Sequence, residues 1–136
     1  MSTLSPRIRK TIADWPQAAQ DHLKAARRIA CDMAQSAAIG PLEESLKWGQ
    51  PAWRPRAPRT GATLRLNWSP SHPDHLMALV DCKTDLASQM STRFPGQFLN
   101  DGRRSLSFDL AHPLPGDAFA QLAHLTFTYH RRKTAS

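Results

Sequence analysis

Few residues of this chain stand where chemistry would want them. His72 and His75 flank Pro73-Asp74. Two histidines at this spacing can share a metal on a helix, but these lie in a proline-rich turn. No paired cysteine or third ligand is close in sequence, and zinc needs three or four well-placed ligands. They read as a solvated turn, and no metal is expected. Cys82 follows the alternating run Leu76, Ala78 and Val80, and reads as the last inward residue of a buried strand. A nucleophilic thiol needs its pKa lowered by a cation, a base or a helix N-terminus. Lys83, a helical turn after Asp85, or His130 approaching in three dimensions would serve, but a small core residue is the simpler reading. Cys31 reads as packing at the edge of a helix. Glu43 and Glu44 are adjacent, so on a helix they point about 100° apart. They make a poor acid–base pair and better suit the electrostatics of a helix N-terminus. No phosphate loop, nucleophile elbow, dinucleotide fingerprint or zincin motif occurs. An enzyme therefore has no positive support, and no cofactor is expected.

Binding chemistry has more to work with. Trp48 and Trp53 bracket Gly49-Gln50-Pro51-Ala52. The plain reading packs both indoles under helices. The sharper reading makes them, with Gln50, Arg65 and Tyr129, an aromatic and basic cleft for a flat or anionic ligand. Arg54, Arg56 and Arg59 alternate with Pro55 and Pro58 in a stiff basic loop. Such a loop can grip phosphates, although it lacks the interleaved aromatics that stack bases.

Composition bounds these readings. The chain has 136 residues, one domain's worth, with a formal net charge of +7 and 13 Arg among its 18 basic residues. Such a balance attracts anions or nucleic acid, yet the cations are dispersed rather than massed in one run. The longest clean apolar run, Leu76 to Val80, is far short of the roughly 20 residues a membrane helix needs. No hydrophobic stretch follows Arg7, Arg9 and Lys10, so no secretory leader is expected. Two scattered cysteines make no disulfide framework, and the reading is a reduced, cytoplasmic protein.

The elements that would hold such sites follow from periodicity. Residues 1–14 read as a flexible N-terminal arm, and 15–133 as a single domain. Ala19, Leu23, Ala26, Ala30, Met33 and Ala37 form one apolar stripe of a helix with Lys24, Arg27 and Arg28 on its polar side. Asp14 is a candidate cap for it, and Pro16 suits its first turn. Gly40-Pro41 breaks the pattern, and 41–47 reads as a short second helix stopped by Gly49 in a left-handed conformation. Then the period becomes two: Leu64, Leu66 and Trp68; Leu76, Ala78, Val80 and Cys82; Leu106, Phe108 and Leu110. Asp85 caps a turn or two of helix through Met90, and Asn100-Asp101-Gly102 turns into the third strand. Leu125 to Tyr129 alone passes for a strand, but Pro115-Gly116-Asp117 signals a helix start. The sum is an α+β fold of two layers, an antiparallel sheet with N- and C-terminal helices on one face. Its other face, carrying Arg65, Asn67, Asp81, Ser107 and Asp109, is left open.

The run Trp48-Gly49-Gln50-Pro51-Ala52-Trp53 resembles the signature of the YdhG-like family, a bacterial family without a generally assigned function. Cys82-Lys83-Thr84-Asp85-Leu86, Arg93-Phe94-Pro95, Gly102-Arg103-Arg104-Ser105-Leu106 and Tyr129-His130-Arg131-Arg132-Lys133 extend the resemblance over about residues 18–133. It implies a sheet with helices on one side, similar to frataxin, and some relatives are described as iron chaperones. Iron binding of that type uses an acidic ridge. Here the first helix offers Asp14, Asp21 and Asp32 among Lys24, Arg27 and Arg28, a poor field for a hard cation. The expected function is binding of a small anionic ligand or a protein partner, by a monomer or homodimer away from any membrane. The alternatives are nucleic-acid association through Arg54, Arg56, Arg59 and Arg131-Arg132-Lys133, and, ranked lower, iron handling.

Overall fold

Period-two alternation builds the sheet, and a three-four stripe covers it. A computed structural model of the chain describes residues 3–135. In order these form α1 (Pro6–Ile12), α2 (Gln17–Ser36), β1 (Leu42–Lys47), β2 (Gln50–Pro55), β3 (Leu64–Asn67) and β4 (His75–Leu79). There follow α3 (Leu86–Arg93), β5 (Leu99–Asn100), β6 (Ser105–Asp109), α4 (Gly116–Phe127) and α5 (Tyr129–Ala135). The strands make one six-stranded sheet, ordered β1-β2-β3-β4-β6-β5, with every neighbouring pair antiparallel. Its inward residues Trp53, Leu64, Leu66, Leu76, Ala78, Leu106 and Phe108 are buried together with Leu23, Ala26 and Ala30 of α2 and Phe119 and Leu122 of α4. The small side chains of α2 let it lie close against α4. This is the α+β, helices-on-one-face architecture that the alternation predicts. No helix among the described residues is long and apolar enough to cross a membrane.

The largest departure from the sequence reading is at 41–47. Leu42, Glu44 and Leu46 share the core side of a strand, while Glu43, Ser45 and Lys47 face away. The segment's helix-forming residues are overridden by pairing with β2, from Leu42 opposite Pro55 to Lys47 opposite Gln50. Gly49 does not stop a helix. It is the second residue of a two-residue hairpin turn, in which Trp48 (φ +56°) and Gly49 (φ +74°) are both left-handed, as a type I′ turn requires. Pro51 and Pro55 cannot donate to a ladder, and only Ala52 and Trp53 between them pair with β3.

The expected flexible arm also differs, because it contains α1. Ser5 caps α1 through its hydroxyl, and Ile8 and Ile12 are buried, as are Leu4 and Trp15. α2 begins after Pro16 at its N-cap with no side-chain cap, so Asp14 does not serve it. α3 runs past Met90 to Arg93, and Asp85 accepts from the Gln89 side chain instead of capping the backbone. The last helix is interrupted at Thr128, whose N–H and hydroxyl both donate to the His124 carbonyl. Arg132 then turns back, donating to the Leu125 carbonyl at 2.6 Å and to the Thr128 hydroxyl at 3.0 Å. That satisfies the exposed carbonyl end of α4 with a cation.

The β2–β3 connection is stapled to this helix end. Ala62 N–H donates to the Thr126 carbonyl at 2.8 Å, and Arg131 N–H to the Thr60 carbonyl at 3.0 Å. Between these bonds Gly61 passes so close that a Cβ would meet the Phe127 carbonyl oxygen at 2.1 Å. Gly61→Ala is therefore predicted to cost about 3 kcal/mol in chemical denaturation, since the obstructing atoms are backbone. A loss under about 1 kcal/mol would show that the staple can move aside.

Candidate functional site

The two adjacent glutamates lie on a strand, so they point to opposite faces of the sheet. Glu44 points inward. Its Oε1 accepts from Arg27 Nε at 2.5 Å and from Trp53 Nε1 at 2.7 Å, and its Oε2 accepts from Ser5 N–H at 2.9 Å. Arg27 Nη2 also donates to the Thr3 carbonyl at 3.0 Å. One carboxylate thus ties the N-terminal segment, α2, β1 and β2 together. The Glu44 and Arg27 side chains are only 17% and 14% exposed, so Arg27 is not simply a residue of α2's polar side. Burial alone would raise the Glu44 pKa. The hydrogen bonds from Arg27, Trp53 and Ser5 outweigh it and hold the carboxyl below its ordinary value. The pair sits in a groove of about 770 Å³ between α2, the Gly40–Leu42 connection and the N-terminal segment, with Cys31 and Arg56 on its walls. Burial raises the Cys31 thiol above its ordinary pKa, which keeps it protonated. This groove is the larger one, but its central charges already satisfy each other.

Glu43 points to the open face and pairs with Arg54 at 3.0 Å. On the same face, at the hairpin end, lies a smaller cleft of about 290 Å³. Lys47, Trp48, Thr63, Arg65, Val80, Asp81, Cys82 and Arg104 line it. Three cations meet one carboxylate there, and that carboxylate accepts the Lys83 N–H at 2.9 Å. Arg65 is oriented by the Gln50 side-chain oxygen at 2.9 Å, a neutral partner that leaves the cleft with an excess of positive charge over Asp81. Arg104 is fixed from both sides. Its N–H, with those of Arg103 and Ser105, donates to Asp101 Oδ1 at 2.8 to 3.0 Å, and its carbonyl accepts from Val80 N–H at 2.8 Å. Burial would raise the Asp101 pKa, but these three N–H groups and the Arg104 charge bring it below its ordinary value. Trp48 is 88% exposed at the tip.

The sequence-predicted residues divide accordingly. Trp48, Gln50 and Arg65 come together. Trp53 is 1% exposed and turned to the opposite face, where it serves Glu44. Tyr129 lies on α5, under the cationic ends of Arg132 and Lys133 at 5.9 and 5.5 Å from its ring. Arg54 is paired, Arg56 lines the larger groove, and Arg59 occupies a left-handed turn (φ +60°), so the three do not form one patch. Cys82 is exposed rather than buried. β4 ends at Leu79, Val80 is its last inward neighbour, and the Asp81 turn carries Cys82 out to the cleft. Sequence reasoning placed Asp81 with Arg65 on the open face but missed Lys47 and Arg104 in this cleft. Lys47 adjoins Trp48, but reading the segment as a helix hid their shared face, and Arg104 arrives through the sheet, 56 residues from Trp48. His72 stays in the turn while His75 opens β4 opposite Asp109, and among the described residues no three His, Cys, Asp or Glu side chains group around a common point.

Comparison of the chain with protein-family models, with curated proteins and with solved structures finds no match.

Glu44→Gln preserves shape but removes the charge that three donors address. It is predicted to cost about 2–3 kcal/mol at neutral pH. The folded carboxyl has the lower pKa, so its contribution is complete above the unfolded value and is lost as pH falls through the folded one. Denaturation at stepped pH should thus show wild type and Glu44→Gln converging in acid. A gap independent of pH would contradict this assignment.

Proposed function

We propose that the protein binds a small planar anion at the hairpin-tip cleft, with Trp48 as the stacking surface and Lys47, Arg65 and Arg104 as the charge that holds it. The observation that carries this reading is the backbone of Trp48. A bulky residue in the left-handed region is an outlier, costing roughly 1–2 kcal/mol against the ordinary region. Type I′ turns favour Asn-Gly. Trp48 recovers nothing for the core, because its side chain stands in solvent. Strain at an exposed aromatic beside an excess of cations is the kind that binding sites retain.

The nucleic-acid alternative draws less support. Arg54 is committed to Glu43 and Arg132 to the end of α4, and no aromatic interleaves with Arg56 and Arg59. The iron alternative has no carboxylate cluster among the described residues to build on. An antiparallel sheet flanked by helices on one face, with the Trp48–Trp53 hairpin at its edge, supports YdhG-like membership as part of the same proposal. Both cysteines are free, which supports a reducing, cytoplasmic setting.

The test is a tryptophan-fluorescence titration with salicylate, a purine mononucleotide and inorganic phosphate, beside Trp48→Asn and Arg65→Gln. An aromatic anion should quench saturably, with affinity falling as salt rises. Either substitution should weaken that binding at least about tenfold, a loss of about 1.4 kcal/mol. Trp48→Asn should also make the fold more stable by about 1 kcal/mol, because asparagine accepts the turn more readily. Unchanged binding by Trp48→Asn, or no saturable quenching by any of the three anions, would overturn the proposal.

A further inference from the structure

The sheet has two unlike edges. β5 is two residues long, too short to template another strand. β1 has six residues, and contains no proline, glycine or bulge. Its pairing with β2 closes at Lys47 opposite Gln50 around a two-residue turn, which makes those two a hydrogen-bonded pair. Alternation then directs the main-chain groups of Glu43, Ser45 and Lys47 toward β2, and those of Leu42, Glu44 and Leu46 outward. Opposite Leu42 and Leu46 stand Pro55 and Pro51, which have no N–H to offer, as this phase requires. Among the described residues the only neighbouring main-chain bond, from Arg56 N–H to the Pro41 carbonyl, lies beyond the strand. β1 therefore presents a row of outward N–H and C=O groups with no main-chain partner among the described residues.

We infer that this edge pairs with β1 of a second copy of the chain, antiparallel about a two-fold axis at Ser45. Several registers bring outward groups together, and charge selects among them. With Ser45 opposite Ser45, Glu44 and Leu46 exchange main-chain bonds across the axis, and Glu43 of each copy stands opposite Lys47 of the other. Those are non-hydrogen-bonded positions, where cross-strand side chains come closest. Shifting the axis to Glu44 or to Leu46 removes both ion pairs, and the shift to Glu44 sets the two Glu44 residues face to face. Among the described residues Lys47 has no ion-pair partner within its own copy, and Glu43 has a second carboxylate oxygen beyond the one that meets Arg54. The same register brings the exposed Trp48 of each copy beside Leu42 of the other. The two sheets join into one of twelve strands, twice the six of a single copy, with the helices of both on one side. Closed two-fold pairing also consumes the edge, so the contact does not propagate.

The proposal does not depend on the ligand reading, because mass reports it whatever binds in the cleft. Sedimentation equilibrium of the full chain should give a dimer of twice 15.2 kDa in reversible exchange with monomer. Glu43→Lys and Lys47→Glu should each weaken dimerisation by roughly tenfold or more, by turning both attractive pairs into repulsive ones. The doubly exchanged protein should dimerise as wild type does, since the pairs are restored with reversed polarity. Thermal melts establish that each variant is folded. In wild type, the Leu42, Glu44 and Leu46 amides should exchange with solvent more slowly as protein concentration rises. A monomer at the highest attainable concentration would overturn the inference. So would a dimer indifferent to the single exchanges, a double exchange that fails to restore it, or concentration-independent exchange at those three amides.

Discussion

The carboxylate of Glu44 is the interaction on which the rest of this structure depends. It receives hydrogen bonds from Ser5, Arg27 and Trp53, on three separate segments. A carboxylate shielded this far is costly unless its oxygens are matched by donors, and here they are, one of them charged. The constraint runs both ways. Trp53 can be buried because its indole N–H has an acceptor, and Arg27 can fold inward because its charge has a counterion. That match adds to the burial of Ile8, Ile12 and Trp53 in holding α1 and the β1–β2 hairpin against α2. The chain contains no glutamate besides this residue and its neighbour. One is used inside and one outside, and the alternation of a strand is what separates them.

Fixing the hairpin from below lets its tip depart from the geometry most sequences would choose. Trp48 is held in a left-handed turn and stands out from the surface. The strands beneath it carry Arg65 and Lys47 to the same end of the sheet, and the Asp101 turn delivers Arg104 from the other side. Lys47 belongs to both proposed activities: it lines the cleft, and it faces the second copy in the paired edge. Dimerisation and ligand affinity would then be linked through one side chain, with an anion in the cleft competing with Glu43 of the second copy for its charge.

Much of the fold is legible in the sequence because period two and the three-four stripe are strong and unambiguous where both faces differ. Leu64 and Leu66, Leu76 and Ala78, and Leu106 and Phe108 all face inward as their alternation demands. The errors fall where local preference and tertiary pairing disagree. Leu42 to Lys47 is composed of helix formers, and only the partner strand makes it extended. α1 is short and basic, and nothing within it reveals that Ile8 and Ile12 have a surface to cover. Cys82 continues an alternating pattern one residue past the turn that ends it. The candidate site is legible in part: Trp48, Gln50 and Arg65 share a hairpin and its neighbour, whereas Arg104 is joined to them only through sheet order β3-β4-β6.

The most direct test of this account is a proton NMR titration in acid that follows the Ser5 amide and the Trp53 indole N–H. Both donate to the same carboxyl, so both resonances should move together, with one midpoint below the ordinary range for glutamate. Separate midpoints, or a common one at or above the ordinary value, would mean that Glu44 does not join these segments and would contradict the account.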